Sequence, residues 1–115
     1  LAMRIDKNLY FANTNFLEDT IMTHVADNSA LDHVVLICNS ISYIDTSALE
    51  SLDDIHYRLE KAGIKLHLAE IKGPVMDKLK QTEFIDKLGS ENIYLSTHQA
   101  IESLKNNTHV RDTLG

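Results

Sequence analysis

Val34-Val35-Leu36-Ile37-Cys38-Asn39-Ser40-Ile41-Ser42-Tyr43-Ile44-Asp45-Thr46-Ser47-Ala48-Leu49-Glu50 decides the fold. Five apolar residues open it, the pattern of a strand buried on both faces, as in a parallel sheet covered by helices. Small polar residues follow, and then a helix whose apolar positions recur at Leu49, Leu52, Ile55 and Leu59. Asp45, Thr46 and Ser47 fall at that helix's N-terminus. Backbone N–H groups there lack intrahelical partners and the helix dipole favours negative charge, so the three form a candidate anion or phosphoacceptor site. The plainer reading is a capping box, with Ser47 covering an orphan N–H and Glu50 reaching back, or Asp45 as the cap itself.

Upstream, Ile5, Leu9, Tyr10 and Phe11 fit two short strands around the tight turn Asp6-Lys7-Asn8, an antiparallel pair at the sheet edge. Asn13-Thr14-Asn15 offers caps for an amphipathic helix carrying Leu17, Ile21 and Val25 and running to about Asn28. Downstream, Gly63 stops the long helix and Ile64 to Ala69 alternates apolar with polar, as a strand. Gly73-Pro74 turns into a helix with Val75, Met76 and Leu79, and a short segment around Phe84, Ile85 and Leu88 ends at Gly89. Asn92 to Leu95 reads as the last strand, and the capping pattern Ser96-Thr97-His98-Gln99 opens a helix through Ala100, Ile101 and Leu104. One domain over 1–105 and a frayed tail over 106–115 are expected. The order β-β-α-β-α-β-α-β-α implies a mostly parallel α/β sheet of about five strands, with an antiparallel edge, against four to five helices.

Composition narrows the function. The 115 residues carry a formal net charge of −6, which disfavours nucleic acid and anionic membrane surfaces as general partners. The longest apolar run, Val34 to Cys38, is far short of the roughly 20 residues that span a bilayer, and no signal peptide precedes it. Cys38, the lone cysteine, reads as a small buried hydrophobe. His24, His33, His56, His67, His98 and His109 make no metal-ligand spacing and read as scattered surface residues. No phosphate-binding glycine motif and no nucleophile motif occurs, so neither metal nor catalytic residues are assigned. Leu1-Ala2 ahead of Met3 suggests a piece cut from a longer chain or one carrying added vector residues.

The stretch Val34–Leu49, with Ile44-Asp45-Thr46-Ser47-Ala48-Leu49 at its turn, resembles the signature of the STAS domain family. That family comprises the anti-sigma-factor antagonists and the cytoplasmic C-terminal domains of SulP (sulfate permease-type) anion transporters. The resemblance runs from about Met3 to Leu104. It includes Gly63-Ile64-Lys65-Leu66, Ile71-Lys72-Gly73-Pro74-Val75 and Asn92-Ile93-Tyr94-Leu95-Ser96 with Gln99-Ala100. Arg4-Ile5-Asp6-Lys7-Asn8-Leu9-Tyr10-Phe11-Ala12-Asn13 resembles the transporter type.

The resemblance implies the STAS fold and a non-catalytic regulatory module on the cytoplasmic side of the membrane. Such a module would contact the transporter's membrane domain or form a homodimer, with acyl carrier protein or another cytosolic regulator as further partners. Weak binding of GTP or ATP is a family association, and no other cofactor is implied. The expected interaction surface is Ser40, Ser42 and Tyr43 with the helix face Glu50, Asp53, Asp54 and Arg58. Ser47 falls where the antagonists carry their phosphorylated serine, and Asp45 matches the acidic residue before it. Ala48 departs from the antagonists' usual glycine, removing its backbone freedom and crowding a kinase. The match at Ser47 and Asp45 implies the alternative, a free-standing anti-sigma-factor antagonist switched by phosphorylation at Ser47.

Overall fold

A computed structural model gives the backbone of residues 1–5 and 11–107, and the side chains of residues 1–5 and 15–105. Strands β1 (Ala2–Arg4), β2 (His33–Ile37), β3 (Lys65–Ala69) and β4 (Ile93–Tyr94) form a sheet in the order β1-β2-β3-β4, with every pairing parallel. Helices α1 (Phe11–Asp27), α2 (Thr46–Lys61), α3 (Gly73–Lys80) and α4 (Phe84–Leu88) lie in the crossovers, and α5 (Thr97–Asn107) follows β4. Among the described residues the sheet thus has four strands, one fewer than expected. Leu9 and Tyr10, on which the antiparallel edge strand was read, lie outside the described residues, while Phe11 already belongs to α1. Asn106 and Asn107 complete α5 instead of opening the tail, whose remainder from 108 on is outside the described residues.

Sequential parallel strands joined by right-handed crossovers place all the intervening helices on one face. The core follows from that. Val34, Leu36 and Cys38 of the central strand stretch and Leu66 and Leu68 of β3 meet Leu17 and Ile21 of α1, the α2 row Ala48, Leu49, Leu52, Ile55 and Leu59, and Val75, Leu79, Phe84 and Leu88 beyond. The residues between point to the other face, where Val35 and Ala69 form a thinner layer under Ala100 and Leu104 of α5, flanked by Ala2 and Tyr94. A strand sandwiched this way has to be apolar at every position, which is why Val34 to Cys38 is an unbroken run. Cys38 is buried as expected, and burial pushes its thiol up to about 12, so it is inert.

The C-terminus of α2 shows local sequence acting directly on geometry. Gly63 takes φ +78, its N–H reaches the Glu60 carbonyl (3.0 Å), and the Ile64 N–H reaches the Leu59 carbonyl (2.9 Å). This is a Schellman closure, with Leu59 and Ile64 both buried in the core beneath it. It aims the chain straight back into β3.

Three of the histidines depart from expectation, while His24 and His98 are exposed as expected. His67 is 2% exposed and His56 9%, and His33 is half-buried. In β3 the alternation Lys65, His67, Ala69 marks the face covered by α5, not a solvent face, so a polar residue in an alternating strand is enclosed. The His33 and His67 rings stand 5.1 Å apart between centroids, with His33 Nδ1 and His67 Nε2 within hydrogen-bond distance at 3.0 Å.

Ile55 is fully buried where α2 crosses the sheet. Ile55→Ala is expected to destabilise the fold by about 2–5 kcal/mol, read as a lower urea midpoint at unchanged slope.

Candidate functional site

The loop from Asn39 to Ile44 and the first turn of α2 sit at the C-terminal end of β2, where open α/β sheets place their sites. Two side chains anchor the loop: Ile41 and Ile44 are 1% and 2% exposed and join the core. Their burial turns the alternating neighbours outward. Ser40, Ser42 and Tyr43 are exposed, as are Thr46 and Ser47, while Asp45 is half-buried. The loop residues of the expected surface therefore share one end of the molecule with Thr46 and Ser47.

Asp45 is the N-cap of α2. Its backbone is extended (φ −91, ψ 169), its carboxylate accepts from the Ala48 N–H (2.7 Å), and its carbonyl accepts from Leu49 (3.1 Å). Ile44 and Leu49, on either side of the cap, are buried together as a hydrophobic staple. Of the two capping readings, the one built on Asp45 is found. Ser47 lies one residue inside the helix, and the Ser47–Glu50 box does not form because Asp45 already covers the third N–H. The exposed Ser47 hydroxyl is thereby left for other use.

The electrostatics of the turn cut both ways. A phosphate on Ser47 would sit in the favourable field of a helix N-terminus. The Asp45 carboxylate, however, already neutralises that end and repels a second anion. No glycine-rich loop adds further N–H donors here, since Gly63, Gly73 and Gly89 all lie elsewhere. The geometry suits covalent modification or protein contact better than capture of a free nucleotide.

Glu50, Asp53, Asp54 and Arg58 lie on the outer side of α2, but they do not act as one patch. Asp53 pairs with Lys87 of α4 (3.1 Å), and Arg58 pairs with Glu18 of α1 (3.1 Å). Five residues apart, they point about 140° from each other around the helix, so the two ion pairs strap α2 to opposite neighbours. Glu50 and Asp54 are exposed between the straps. An exposed aromatic lies on the same face: Tyr57, 60% exposed with Lys61 over its ring at 5.0 Å.

Sequence reading missed Glu70. At the end of β3 it takes a left-handed φ of 60, its N–H donates to the Tyr94 carbonyl (3.1 Å), and its carboxylate accepts from the N–H (3.2 Å) and hydroxyl of Thr97. It thus caps α5 from 27 residues away, beside the local cap in which the Ser96 hydroxyl accepts from Gln99 (3.1 Å). The Thr97 hydrogen bonds, helped by Arg4, hold its carboxyl below the usual range. A contact so distant in sequence leaves no local signal.

The STAS domain family profile matches residues 1–100. Over 113 residues the chain is 33% identical to "Probable sulfate transporter 3.4" of Arabidopsis thaliana, a match covering 90% of this chain and 17% of that protein. It is 29% identical over 112 residues to "Sulfate transporter 1.3" of the same organism, again 90% against 17%. The chain therefore spans about a sixth of the length of these curated relatives. Its fold is similar to the SulP transporter STAS domain from Vibrio cholerae, with TM-score 0.77 and 17% identity over 91% of this chain and 80% of that one. It is also similar to part of the murine Slc26a9 anion transporter, with TM-score 0.80 and 18% identity over 91% of this chain and 18% of that one.

Asp45→Ala should cost about 0.5–2 kcal/mol through loss of the cap. Ser47→Ala should stay within about 0.5 kcal/mol, since that hydroxyl is exposed and Asp45 supplies the cap. Paired thermal melts distinguish the two: equal losses would mean that Ser47 shares the capping.

Proposed function

The chain belongs to the STAS domain family, and on that premise we propose that it is the regulatory STAS domain of a SulP-type sulfate or anion transporter, working without catalysis through protein contacts on the cytoplasmic side of the membrane. One observation carries the reading: the similarity takes in 90% of this chain but only 17% of sulfate transporters far longer than it. A module of that kind works inside a larger protein. No described helix is long and apolar enough to cross a membrane, so a transporter's spans would have to lie elsewhere in the protein.

The contact surface in this reading is the Ser40–Ser47 loop with the outer side of α2. Tyr43, 49% exposed, supplies apolar area there, and Glu50 and Asp54 supply charge that selects a partner by complementarity. The partner is the transporter's membrane domain or a second copy of the chain, and transport is biased by which of these the surface engages. The exposed Ser47 hydroxyl favours a second reading, a free-standing anti-sigma-factor antagonist switched by phosphorylation.

The deciding experiment has two steps. The gene's full reading frame should encode a membrane portion continuous with these residues; a frame opening at Met3 overturns the transporter reading in favour of the antagonist. In the full-length transporter, Tyr43→Ala combined with Glu50→Lys should lower sulfate uptake severalfold in cells lacking their own uptake, while the domain's melting temperature stays within a few degrees. Undiminished uptake by that variant and by a transporter lacking the whole domain would rule out a regulatory role.

A further inference from the structure

The layer between the sheet and α5 encloses a histidine pair that neither the interaction surface nor the core requires. His33 Nδ1 and His67 Nε2 are 3.0 Å apart, and the Nδ1 of His67 is buried with no hydrogen-bond partner. The His67 ring also packs on Tyr94 (centroids 5.9 Å), whose hydroxyl reaches Ser103 of α5 (3.4 Å). We propose that this pair makes the seating of α5 acid-labile, so that α5 is held on the sheet near neutral pH and loosens on mild acidification.

The argument is one of proton count. Two neutral imidazoles in contact share one N–H between them. With His67 Nε2–H donating to His33 Nδ1, the buried Nδ1 of His67 carries only a lone pair, a milder defect than a buried orphan N–H. An added proton ends at that atom by either route. Protonating His67 places an N–H on its Nδ1 directly. Protonating His33 at Nδ1 turns that nitrogen into a donor and forces His67 into its other tautomer, with the same result. Each route leaves an unpartnered donor beneath α5.

The surroundings do not compensate. From β3 Lys65 opposes a positive charge on the pair, while Asp32 ahead of β2 is the acidic neighbour and acts on His33. β4 brings Tyr94, and α5 brings Ala100, Ser103 and Leu104 toward this face, while its His98, Glu102 and Lys105 are exposed. Glu70 is engaged by Thr97, and Arg4 is exposed at the sheet edge. Burial, then His33 and Lys65, push His67 down to about 4, and burial lowers His33 as well. A histidine lowered in the seated state stabilises that state fully above its ordinary value of about 6.5. The stabilisation is lost as pH falls from there toward the lowered value.

Amide hydrogen exchange of α5 tests this, corrected for the intrinsic pH dependence of exchange. Between about pH 7.5 and about pH 5.5, α5 protection should fall about tenfold, the linkage expected for a histidine moving from its ordinary value to about 4. His67→Phe should abolish the drop, whereas His24→Gln, at an exposed position on α1, should retain it. An equal drop in His67→Phe overturns the proposal. Should that variant not fold, nitrogen-15 NMR of the unmodified chain decides. The His67 ring should carry its proton on Nε2 at neutral pH and pick up the second one together with α5 loosening. A proton on Nδ1 at neutral pH, or titration of His67 without any change in α5, overturns it equally.

Discussion

Everything in this domain depends on β2 being covered from both sides. A parallel strand cannot close on its neighbour through a tight turn; each return needs a crossover, and right-handed crossovers in sequential order put the crossover helices on one face. The five paired positions between β2 and β3 form the spine of the sheet, and the large core against α1 to α4 holds it. Among the described residues the opposite face is left to α5, above a layer in which Val35, Ala69, Ala100 and Leu104 are the buried apolar residues. The fold is therefore asymmetric in stability as well as shape. One side is a deep apolar core, and the other is a thin seat containing two histidines and a distant cap.

That asymmetry sorts the molecule's surfaces by what they can do. The loop and first turn of α2 are rigid underneath, because Ile41, Ile44 and Leu49 lock them into the deep core, and they present Ser42, Tyr43 and Ser47 outward from fixed backbone. A rigid display suits recognition, since little conformational entropy is lost when a partner binds. The ion pairs Asp53–Lys87 and Arg58–Glu18 add orientation more than energy, being exposed pairs that fix α2 against α4 and α1. The α5 side is better suited to movement. Its helix is tied by a carboxylate from the end of β3 and rests on few apolar residues.

Asp45 illustrates how one residue can answer both a structural and a functional question. As the cap it fixes where α2 begins, and the same charge makes that N-terminus a poor receptor for free anions. Ser47, relieved of capping, is the hydroxyl that the turn presents to solvent. The resemblance to phosphorylated antagonists and the similarity to sulfate transporters thus meet at the same turn, and physical chemistry allows either use of it.

The sequence by itself determined the helices and the strands β2 to β4 in their order, because local rules suffice for them. The unbroken run Val34 to Cys38 requires burial on both faces, the spacing of Leu49, Leu52, Ile55 and Leu59 requires a helix, and Gly63 supplies the left-handed residue that ends it. The family signature was legible for the same reason, since it resides in that strand, turn and helix. Only the tertiary structure decided which of two plausible caps forms, that Asp53 and Arg58 are engaged by different helices, and that Glu70 caps α5 across 27 residues. It also decided that His67 is enclosed, because an alternating strand looks the same in sequence whether its polar face meets water or a helix that arrives from the far end of the chain. Pairings between residues distant in sequence have no local signature, and the Glu70 cap, the ion pairs of Asp53 and Arg58 and the His33–His67 contact are all of that kind.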